Sequence, residues 1–413
     1  MPSSISNSER AGLAMASDGG IPLEERFERP GFVRLTASDR PGVAQPVPER
    51  DIPSQPWGRI LLGALALSVL LMAAWEWHWR AYGAAPAFRN SDGAWADQRR
   101  RIDTGEGGKT VLIGSSRLLF DVQLPEWERA TGERPIQLSL EGTSPLPVLE
   151  DLADDPDFTG RLLIDATPTS LFLGQSGRRA SVVPYYHEQS PSQRSGHWLS
   201  RRFLEPWFAF YDPDFALPVV VRRQAWPDRP GLPRRILVRK LSVQEIDRNT
   251  YLWHKVSDDP EYHALTRRIW QVQLNLPLQP MVDTEAKRRK LCEETMGRVA
   301  AAVAKLRARG VRVVFVRPPS SGPWQAQEQR LTPRKDSWEA LLRRTGAPGV
   351  HFEDYPQLQG YTLPEWSHID AAGAKRFTTA LAPLVQREFL REEAEQRQAT
   401  VETEVGAASR REL

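Results

Sequence analysis

Two short polar segments, far apart in the chain, contain the residue types that nucleophilic catalysis needs. The first is Gly114-Ser115-Ser116-Arg117, which directly follows the run Thr110–Ile113. The second contains His368, with Glu365 three residues before it. A serine hydroxyl becomes a nucleophile when an imidazole accepts its proton, and a carboxylate commonly orients that imidazole. The sequence therefore offers a serine of the first segment, Ser115 or Ser116, as nucleophile, with His368 as base and Glu365 as the orienting acid.

Each of these segments also has an interpretation without chemistry. A serine that follows a strand often caps the next helix through its side chain, and a single histidine in a loop is often an ordinary polar residue. Asp370 competes with Glu365 as the partner of His368. However, Asp370 stands directly before the helix predicted from Ala371, where an aspartate serves well as N-cap. We therefore assign Asp370 to that helix and Glu365 to the histidine.

The elements that must position these residues alternate between strand and helix patterns. The predicted strands are residues 111–113, 136–140, 162–164, 311–316 and 350–352. The predicted helices are residues 146–155, 283–309, 338–344 and 371 to about 395. Such alternation predicts an α/β fold with a parallel sheet and crossover helices. Because ligands gather at the carboxyl ends of the strands of such sheets, the two serines after the first strand would lie at a functional edge.

An uncharged apolar run occupies residues 60–75. Extended to the flanking Trp57 and Trp79, it would form a helix of about 34 Å, which is enough to cross the hydrocarbon core of a bilayer. Tryptophans at both edges are typical of membrane interfaces. A cleaved signal peptide would begin near the N-terminus, and a buried core helix would need partner elements before it. We therefore predict a transmembrane helix at residues 57–79 that acts as a signal anchor.

The remaining segments are assigned by composition. Residues 1–56 are polar and rich in Ser, Pro and Gly, which predicts a disordered tail. Residues 80–108 are interpreted as a polar stem, residues 109–390 as the α/β domain and residues 391–413 as a polar C-terminal tail. Residues 170–282 break the alternation with arginines, prolines and aromatic residues, and we interpret them as a large, partly helical insertion.

The composition excludes several functional classes. The 413 residues include 55 Lys and Arg against 52 Asp and Glu, with no long basic tract, so we expect no nucleic-acid partner. The single cysteine, Cys292, excludes an internal disulfide and a cysteine-rich zinc site. We predict neither a metal nor a cofactor. The histidines of the insertion lack the i, i+4 spacing of metal ligands and are interpreted as polar or packing residues: His187, His197, His254 and His263.

Three further side chains have two interpretations each. Arg117 can bind an anionic substrate, but we expect an ordinary surface charge. Trp324 and Trp366 can line a substrate cleft or cap the core. The sequence does not distinguish these last two alternatives.

Taken together, residues 110–168 and 311–390 resemble the SGNH (GDSL-like) hydrolases and acyltransferases. The first motif of that family is strand-Gly-Asp-Ser, in which the serine is the nucleophile. Gly114-Ser115-Ser116 is similar to a Gly-Ser-Ser variant that many envelope members carry, and this resemblance places Ser116, not Ser115, at the nucleophile's position. The last motif is Asp-x-x-His before the final helix, which Glu365-Trp-Ser-His368 and the following Ala372-Gly373-Ala374-x-x-Phe377 resemble. The second motif is a glycine after the second strand, and Gly142 matches it.

The chain departs from this family at two points. The acid is Glu365 rather than Asp, and the third motif, Gly-x-Asn-Asp, is replaced by Ile164-Asp165-Ala166-Thr167-Pro168. The family's Asn donates a hydrogen bond to the oxyanion. Its absence leaves the backbone N–H groups of Ser116 and Gly142, helped by the Thr167 hydroxyl, as the expected oxyanion hole. The loss of one such donor costs roughly 2.7–4 kcal/mol in a well-studied protease, so we expect weaker catalysis unless the insertion supplies a donor.

The resemblance implies a three-layer sandwich around a parallel sheet and acyl transfer through a covalent Ser116 ester. Release of the acyl group to water would make the protein an esterase, and release to a sugar hydroxyl would make it an O-acyltransferase. The family's anchored members are typically bacterial envelope proteins that modify surface polysaccharides, often beside a multi-spanning membrane acyltransferase. The missing Asn and the glutamate favour the alternative, a non-catalytic binding or assembly module of the same fold.

The resemblance also implies where the domain lies. Family members of this shape have a cytoplasmic N-terminus and a domain outside the cytoplasmic membrane, and we expect the same topology here. The arginines on the two sides of the apolar run do not favour this orientation by the positive-inside rule. The orientation therefore depends on the resemblance alone.

Overall fold

A five-stranded parallel sheet lies at the centre of the α/β fold. The structure is a computed structural model that describes residues 54–173, 179–222 and 240–411. The strands are β1 (Thr110–Ile113), β2 (Ile136–Gln137), β3 (Arg161–Asp165), β4 (Ser242–Gln244), β5 (Thr250–Leu252), β6 (Arg312–Arg317) and β7 (Gly349–His351). The strand order in the sheet is β2-β1-β3-β6-β7, and each neighbouring pair runs parallel. The α/β class and the parallel sheet are thus confirmed.

Helices connect the strands in the order that the sequence patterns indicated. The helices are α1 (Trp57–Tyr82), α2 (Asp92–Arg101), α3 (Ser116–Asp121), α4 (Leu124–Thr131), α5 (Leu146–Asp154), α6 (Pro168–Phe172), α7 (Val182–Glu188), α8 (Pro191–Phe203), α9 (Leu217–Arg222), α10 (His254–Asp258), α11 (Pro260–Leu274), α12 (Glu285–Ala308), α13 (Gly322–Leu331), α14 (Trp338–Thr345) and α15 (Ala371–Arg411). Helix α15 continues to Arg411, so the expected polar tail at residues 391–413 is helical as far as it is described.

Helices cover both faces of the sheet, which explains why its strands are apolar at successive positions. On one face, Val313 and Phe315 pack in a cluster that includes Val303 of α12. On the other face, Val314 packs in a cluster that includes Phe377 of α15. The alternation along β6 therefore divides its side chains between two cores, and every one of these residues is fully buried.

Residues 80–108 belong to the folded domain, which corrects the interpretation of them as a stem. Trp95 of α2 is fully buried, and its indole N–H donates to Leu138 O at 2.9 Å. Arg99 of the same helix is buried and pairs with Asp151 at 2.8 Å and with Asp155 at 2.6 Å. The segment resembles a solvated spacer by composition because two of the three carboxylates that pair with Arg99, those of Asp151 and Asp155, lie more than 50 residues further along the chain.

The described parts of residues 170–282 contain helices and the antiparallel pair β4–β5. That residues 170–282 are an insertion stays a prediction, and residues 174–178 and 223–239 of this segment lie outside the described residues. Of the tail predicted at residues 1–56, residues 1–53 lie outside the described residues.

Helix α1 contains the apolar run of residues 60–75. It is 26 residues long, and by length and hydropathy it is able to cross a membrane. The helix ends three residues beyond the predicted limit of residue 79. Trp79 is 1% exposed and packs in a core cluster with Phe215 and Trp253. Its last turns are therefore part of the protein core rather than a free extension.

Candidate active site

The structure brings the two polar segments together at the carboxyl end of β1. Ser116 Oγ lies 2.8 Å from His368 Nε2, and His368 Nδ1 lies 2.8 Å from Glu365 Oε1. The same glutamate oxygen accepts a hydrogen bond from the backbone N–H of His368 at 2.7 Å. With Nδ1 protonated and donating to Glu365, Nε2 is left to accept from the Ser116 hydroxyl. The three side chains thus have the mutual arrangement of nucleophile, base and orienting acid.

The two neighbouring serines have different environments. Ser115 is the N-cap of α3, and its hydroxyl accepts from Arg117 N at 3.3 Å and donates to Asp165 Oδ2 at 2.5 Å. Ser115 is buried, whereas Ser116 is partly exposed as the first residue of the helix. The helix-cap interpretation therefore applies to Ser115, and the Ser116 hydroxyl is left to the histidine.

Gly114 is required by the close approach of β1 and β3. A Cβ atom at this position would lie 2.4 Å from Asp165 Cβ. That proximity lets the Asp165 carboxylate accept from Ser115 N at 2.9 Å as well as from its hydroxyl. The buried aspartate at the end of β3 therefore fixes the loop that presents Ser116.

The loop that carries His368 has a strained backbone. Trp366 has a φ of 72°, a left-handed conformation that is uncommon outside glycine. Its carbonyl accepts from Ser321 N at 2.9 Å, which holds the turn in place. The turn brings the Glu365 carboxylate into contact with His368, which follows it by three residues. Such strain persists where surrounding contacts impose it, and it often marks a functional site.

The insertion supplies contacts that brace this loop. On α11, His263 Nε2 lies 2.6 Å from Pro364 O, and Arg267 Nε donates to the same carbonyl at 2.7 Å. The Arg267 guanidinium also lies 5.3 Å from the centre of the Trp366 ring. His263 is thus a packing residue, as expected, but it packs directly beside Glu365.

Asp370 has the role that the sequence assigned to it. Its Oδ1 accepts from Gly373 N at 2.7 Å, and its carbonyl accepts from Ala374 N at 2.8 Å. It therefore caps the start of α15. Glu365, not Asp370, is the carboxylate that contacts His368.

The groups expected to form an oxyanion hole differ in their surroundings. Gly142 has a φ of 55°, which glycine adopts without strain, and no described residue accepts a hydrogen bond from the N–H of Gly142 or of Ser116. The Thr167 hydroxyl donates its one proton to Asp165 Oδ1 at 2.7 Å and lies 3.2 Å from Ser115 Oγ. It has no second proton to offer an oxyanion. The expectation for Thr167 is corrected on this ground.

Arg117 is a buried ion-pair partner, not the surface charge that we expected. Its guanidinium donates to both carboxylate oxygens of Glu328, at 2.6 and 3.2 Å, and Arg317 donates to Glu328 Oε2 at 2.7 Å. Trp324 Nε1 donates to Glu328 Oε1 at 3.1 Å, so this tryptophan is tied to the same cluster. Arg117 Nε also donates to Ser367 Oγ at 3.3 Å. The cluster joins α3 to the histidine loop.

Asp121 is a residue near this site that sequence reasoning missed. It is fully buried, its Oδ1 accepts from Ile369 N at 2.9 Å, and its Oδ2 has no hydrogen-bond partner. Burial raises its pKa well above the ordinary value of 3.8, and the nearby charges of Glu365 and Asp165 raise it further. The one signal in the sequence was an acidic residue within the otherwise apolar run of residues 118–122.

Outside this site, one group of carboxylates in the described residues is close enough to hold a metal ion. Asp103, Asp155 and Asp157 have oxygens within 4.8 Å of one another. Arg99 pairs with two of them, at 2.9 and 2.6 Å, so much of their charge is already neutralised. The absence of a metal therefore stays a prediction.

No protein-family model matches this sequence, and a search of the curated proteins finds no match. The geometry of the site is therefore the main basis for assigning a function.

Replacing Glu328 with glutamine tests the importance of the buried cluster. Glu328→Gln would leave Arg117 and Arg317 buried without the carboxylate to which both are hydrogen-bonded. We expect the free energy of unfolding to fall by about 3–5 kcal/mol, measured by denaturant unfolding of the full chain. The control is Glu339→Gln on α14, whose side chain is 45% exposed; it should change stability by at most about 0.5 kcal/mol. Equal losses in the two variants would contradict the buried ion pair.

Asp121→Asn should change how stability depends on pH. The unfolded chain loses this proton near its ordinary pKa of 3.8, whereas the folded protein keeps it to a much higher pH. Ionisation therefore favours the unfolded state increasingly as pH rises above that value, until the folded-state pKa is reached. The asparagine cannot ionise, so its stability relative to wild type should grow with pH, by up to about 1.4 kcal/mol per unit.

The measurement is urea unfolding of wild type and Asp121→Asn from about pH 4 to neutral pH. Asp154→Asn is the control, because this carboxylate has a side chain 68% exposed and pairs with Lys305. A stability difference between wild type and Asp121→Asn that stays constant with pH would show that Asp121 titrates normally.

Proposed function

We propose that this chain is a membrane-anchored serine esterase or O-acyltransferase of the SGNH type that acts on acyl esters. The observation that carries the proposal is the continuous hydrogen-bonded relay from Ser116 Oγ through His368 to Glu365, with both links at 2.8 Å. The partly exposed serine at a strand end and the buried imidazole behind it are what an acyl-transfer mechanism requires.

The proposed reaction proceeds through an acyl-enzyme. His368 Nε2 accepts the hydroxyl proton as Ser116 Oγ attacks the ester carbonyl carbon. The tetrahedral oxyanion is stabilised by the N–H groups of Ser116 and Gly142. The imidazolium then donates its proton to the departing alkoxide, while Glu365 stabilises the ring's positive charge. In the second half, His368 deprotonates water or a sugar hydroxyl, whose oxygen attacks the acyl carbon. The bond between that carbon and Ser116 Oγ then breaks, and the imidazolium returns the proton to Ser116 Oγ.

Two further features support the SGNH type and the proposed location. The nucleophile follows β1 and the histidine precedes the last helix, with helices on both faces of a parallel sheet, as in the three-layer sandwich of that family. Helix α1 is long and apolar enough to anchor the domain in the cytoplasmic membrane. By that resemblance, the substrate is an acyl ester of envelope polysaccharide, and a multi-spanning membrane acyltransferase is a partner.

A second candidate function is a non-catalytic binding or assembly module of a polysaccharide acylation system. The observation that favours it is the Thr167 hydroxyl, whose proton is engaged by Asp165. With the family's Asn also missing, the oxyanion has two backbone donors rather than three. The intact Ser116–His368 contact argues for the enzyme, and a reactivity experiment separates the two.

A fluorophosphonate probe should label the wild-type protein at Ser116. Ser116→Ala should abolish labelling, and Glu365→Gln should slow it by up to about 10⁴-fold, because an amide favours the wrong histidine tautomer. Ser115→Ala is the matched comparison: it removes the neighbouring hydroxyl that bonds Asp165 but keeps the Ser115 N–H contact and the Ser116–His368 pair, so labelling should persist at a reduced rate. In-gel fluorescence measures the result. No labelling of well-folded wild type would favour the binding module, and labelling lost only in Ser115→Ala would overturn the assignment.

The proposed topology has a cytoplasmic N-terminus and an extracytoplasmic domain. Alkaline phosphatase folds actively only outside the bacterial cytoplasm, where its disulfides form. Fused after Leu413, it should therefore be active in cells that express the full chain. A fluorescent protein that needs the cytoplasm should stay dark at the same position. The reverse pattern would reject the envelope location while leaving the chemistry of Ser116 open.

A further inference from the structure

The last turns of α1 are hydrogen-bonded to a segment of the insertion. The Glu76 carboxylate accepts from the backbone N–H groups of Ala209 and Phe210, each at 3.0 Å. Arg80 Nη2 donates to Trp207 O at 3.0 Å. Residues 207–210 are therefore held against the turn of the helix that follows the apolar run.

Aromatic packing strengthens the same attachment. Trp75 Nε1 donates to Phe215 O at 3.2 Å. Trp79 stacks on the Phe215 ring, with 4.7 Å between ring centroids. Both aromatic residues of this stack are fully buried. The segment is thus fixed to α1 through main-chain and core contacts, not through flexible surface side chains.

Large apolar side chains flank this attachment and face solvent. Trp198 is 59% exposed and Trp207 is 62% exposed. Exposed apolar groups of this size mark interaction sites on soluble surfaces. We call the following set the exit surface: Trp198, Leu199, Phe203, Leu204, Trp207, Phe208, Leu217 and Val221.

Helix α8 carries part of the exit surface. The opposite face of α8 contacts α2, and these contacts fix the orientation of the helix. His197 lies 3.1 Å from an Asp97 carboxylate oxygen of α2, and Arg201 donates to the same oxygen. This contact turns Trp198, Leu199 and Phe203 outward, and no residue of α8 is buried.

The outward face of α8 combines aromatic and basic side chains. Arg194, Trp198 and Arg202 are spaced four apart and are neighbours on the helix surface. The Arg202 guanidinium lies 6.0 Å from the Phe203 ring centre, and α8 has no acidic residue. Tryptophan and arginine together on one exposed face are typical of helices that lie in a membrane interface beside anionic headgroups.

We propose that the exit surface lies in the membrane interface beside α1, so that α8 and residues 204–222 dock the domain onto lipid headgroups. This inference rests on the proposed transmembrane role of α1. The apolar run ends at Trp75, and Arg80 lies about 7.5 Å further along the helix. The headgroup layer on one side of a bilayer is roughly 5–8 Å thick. A segment bonded to Glu76 and Arg80 is therefore at headgroup depth, which favours lipid as the occupant.

The test uses the full-length chain with Cys292→Ser, reconstituted in nanodiscs of phosphatidylcholine and phosphatidylglycerol. Single cysteines at Leu199 and at Leu217 carry a polarity-sensitive fluorophore. An interfacial helix buries its apolar face roughly 5–10 Å into the boundary, so headgroup spin-labelled lipid should quench both probes by about half. Arg343→Cys is the control, because this exposed residue of α14 is 64% accessible and should not be quenched. Circular dichroism checks that each variant is folded.

A probe at Leu67, within the apolar run, separates the possible failures. Lipid brominated midway along an acyl chain should quench it. Quenching at Leu67 without quenching at Leu199 and Leu217 overturns the interfacial proposal and leaves the span intact. No quenching at Leu67 overturns the span and the interfacial proposal with it. If native membranes, but not nanodiscs, shield the Leu199 and Leu217 probes from aqueous iodide, the exit surface binds a protein partner, and the lipid proposal fails.

Discussion

A single carboxylate oxygen, Glu365 Oε1, accepts hydrogen bonds from both the backbone and the ring of His368. One acceptor thus sets the loop conformation and the ring orientation together, and Nε2 can then point only toward Ser116. Burying that carboxylate is costly unless its oxygens are satisfied, and Glu365 is fully buried with no partner at Oε2. The surrounding fold must therefore hold the loop by other contacts, and the strained turn at Trp366 shows that it does.

Those contacts come from elements that the α/β pattern alone would not bring together. The insertion braces the carbonyl of Pro364 through α11, and Asp121 of α3 accepts from the backbone of Ile369. Arg117 links α3 to the same loop through Ser367. The short helix that begins with Ser116 therefore contacts the histidine loop at several points. The distance between the Ser116 hydroxyl and the His368 imidazole therefore depends on the packing of α3 against the histidine loop as much as on the sheet.

Local patterns were sufficient for the strands of the sheet, though not for their order, for the segments around Ser116 and His368, and for the cap at Asp370. Each of these depends on residues within a few positions of one another. The pairing of Arg99 and the division of roles between Ser115 and Ser116 depend on Asp151, Asp155 and Asp165, which are distant in sequence. No periodicity reveals such partners, so a buried arginine looked like part of a solvated stem. The SGNH resemblance stays a proposal, because it depends on short motifs.

The site and the end of α1 share one packed core. Trp79 belongs to the same cluster of buried side chains as Phe120, and the Phe120 ring lies 4.5 Å from the His368 ring between centroids. Buried side chains therefore connect the end of α1 to the imidazole of His368, with no flexible stem between them. Because protein cores are close-packed, this connection deforms little. Under the proposed topology, the residues that link the membrane anchor to His368 would thus be core residues rather than a flexible stem.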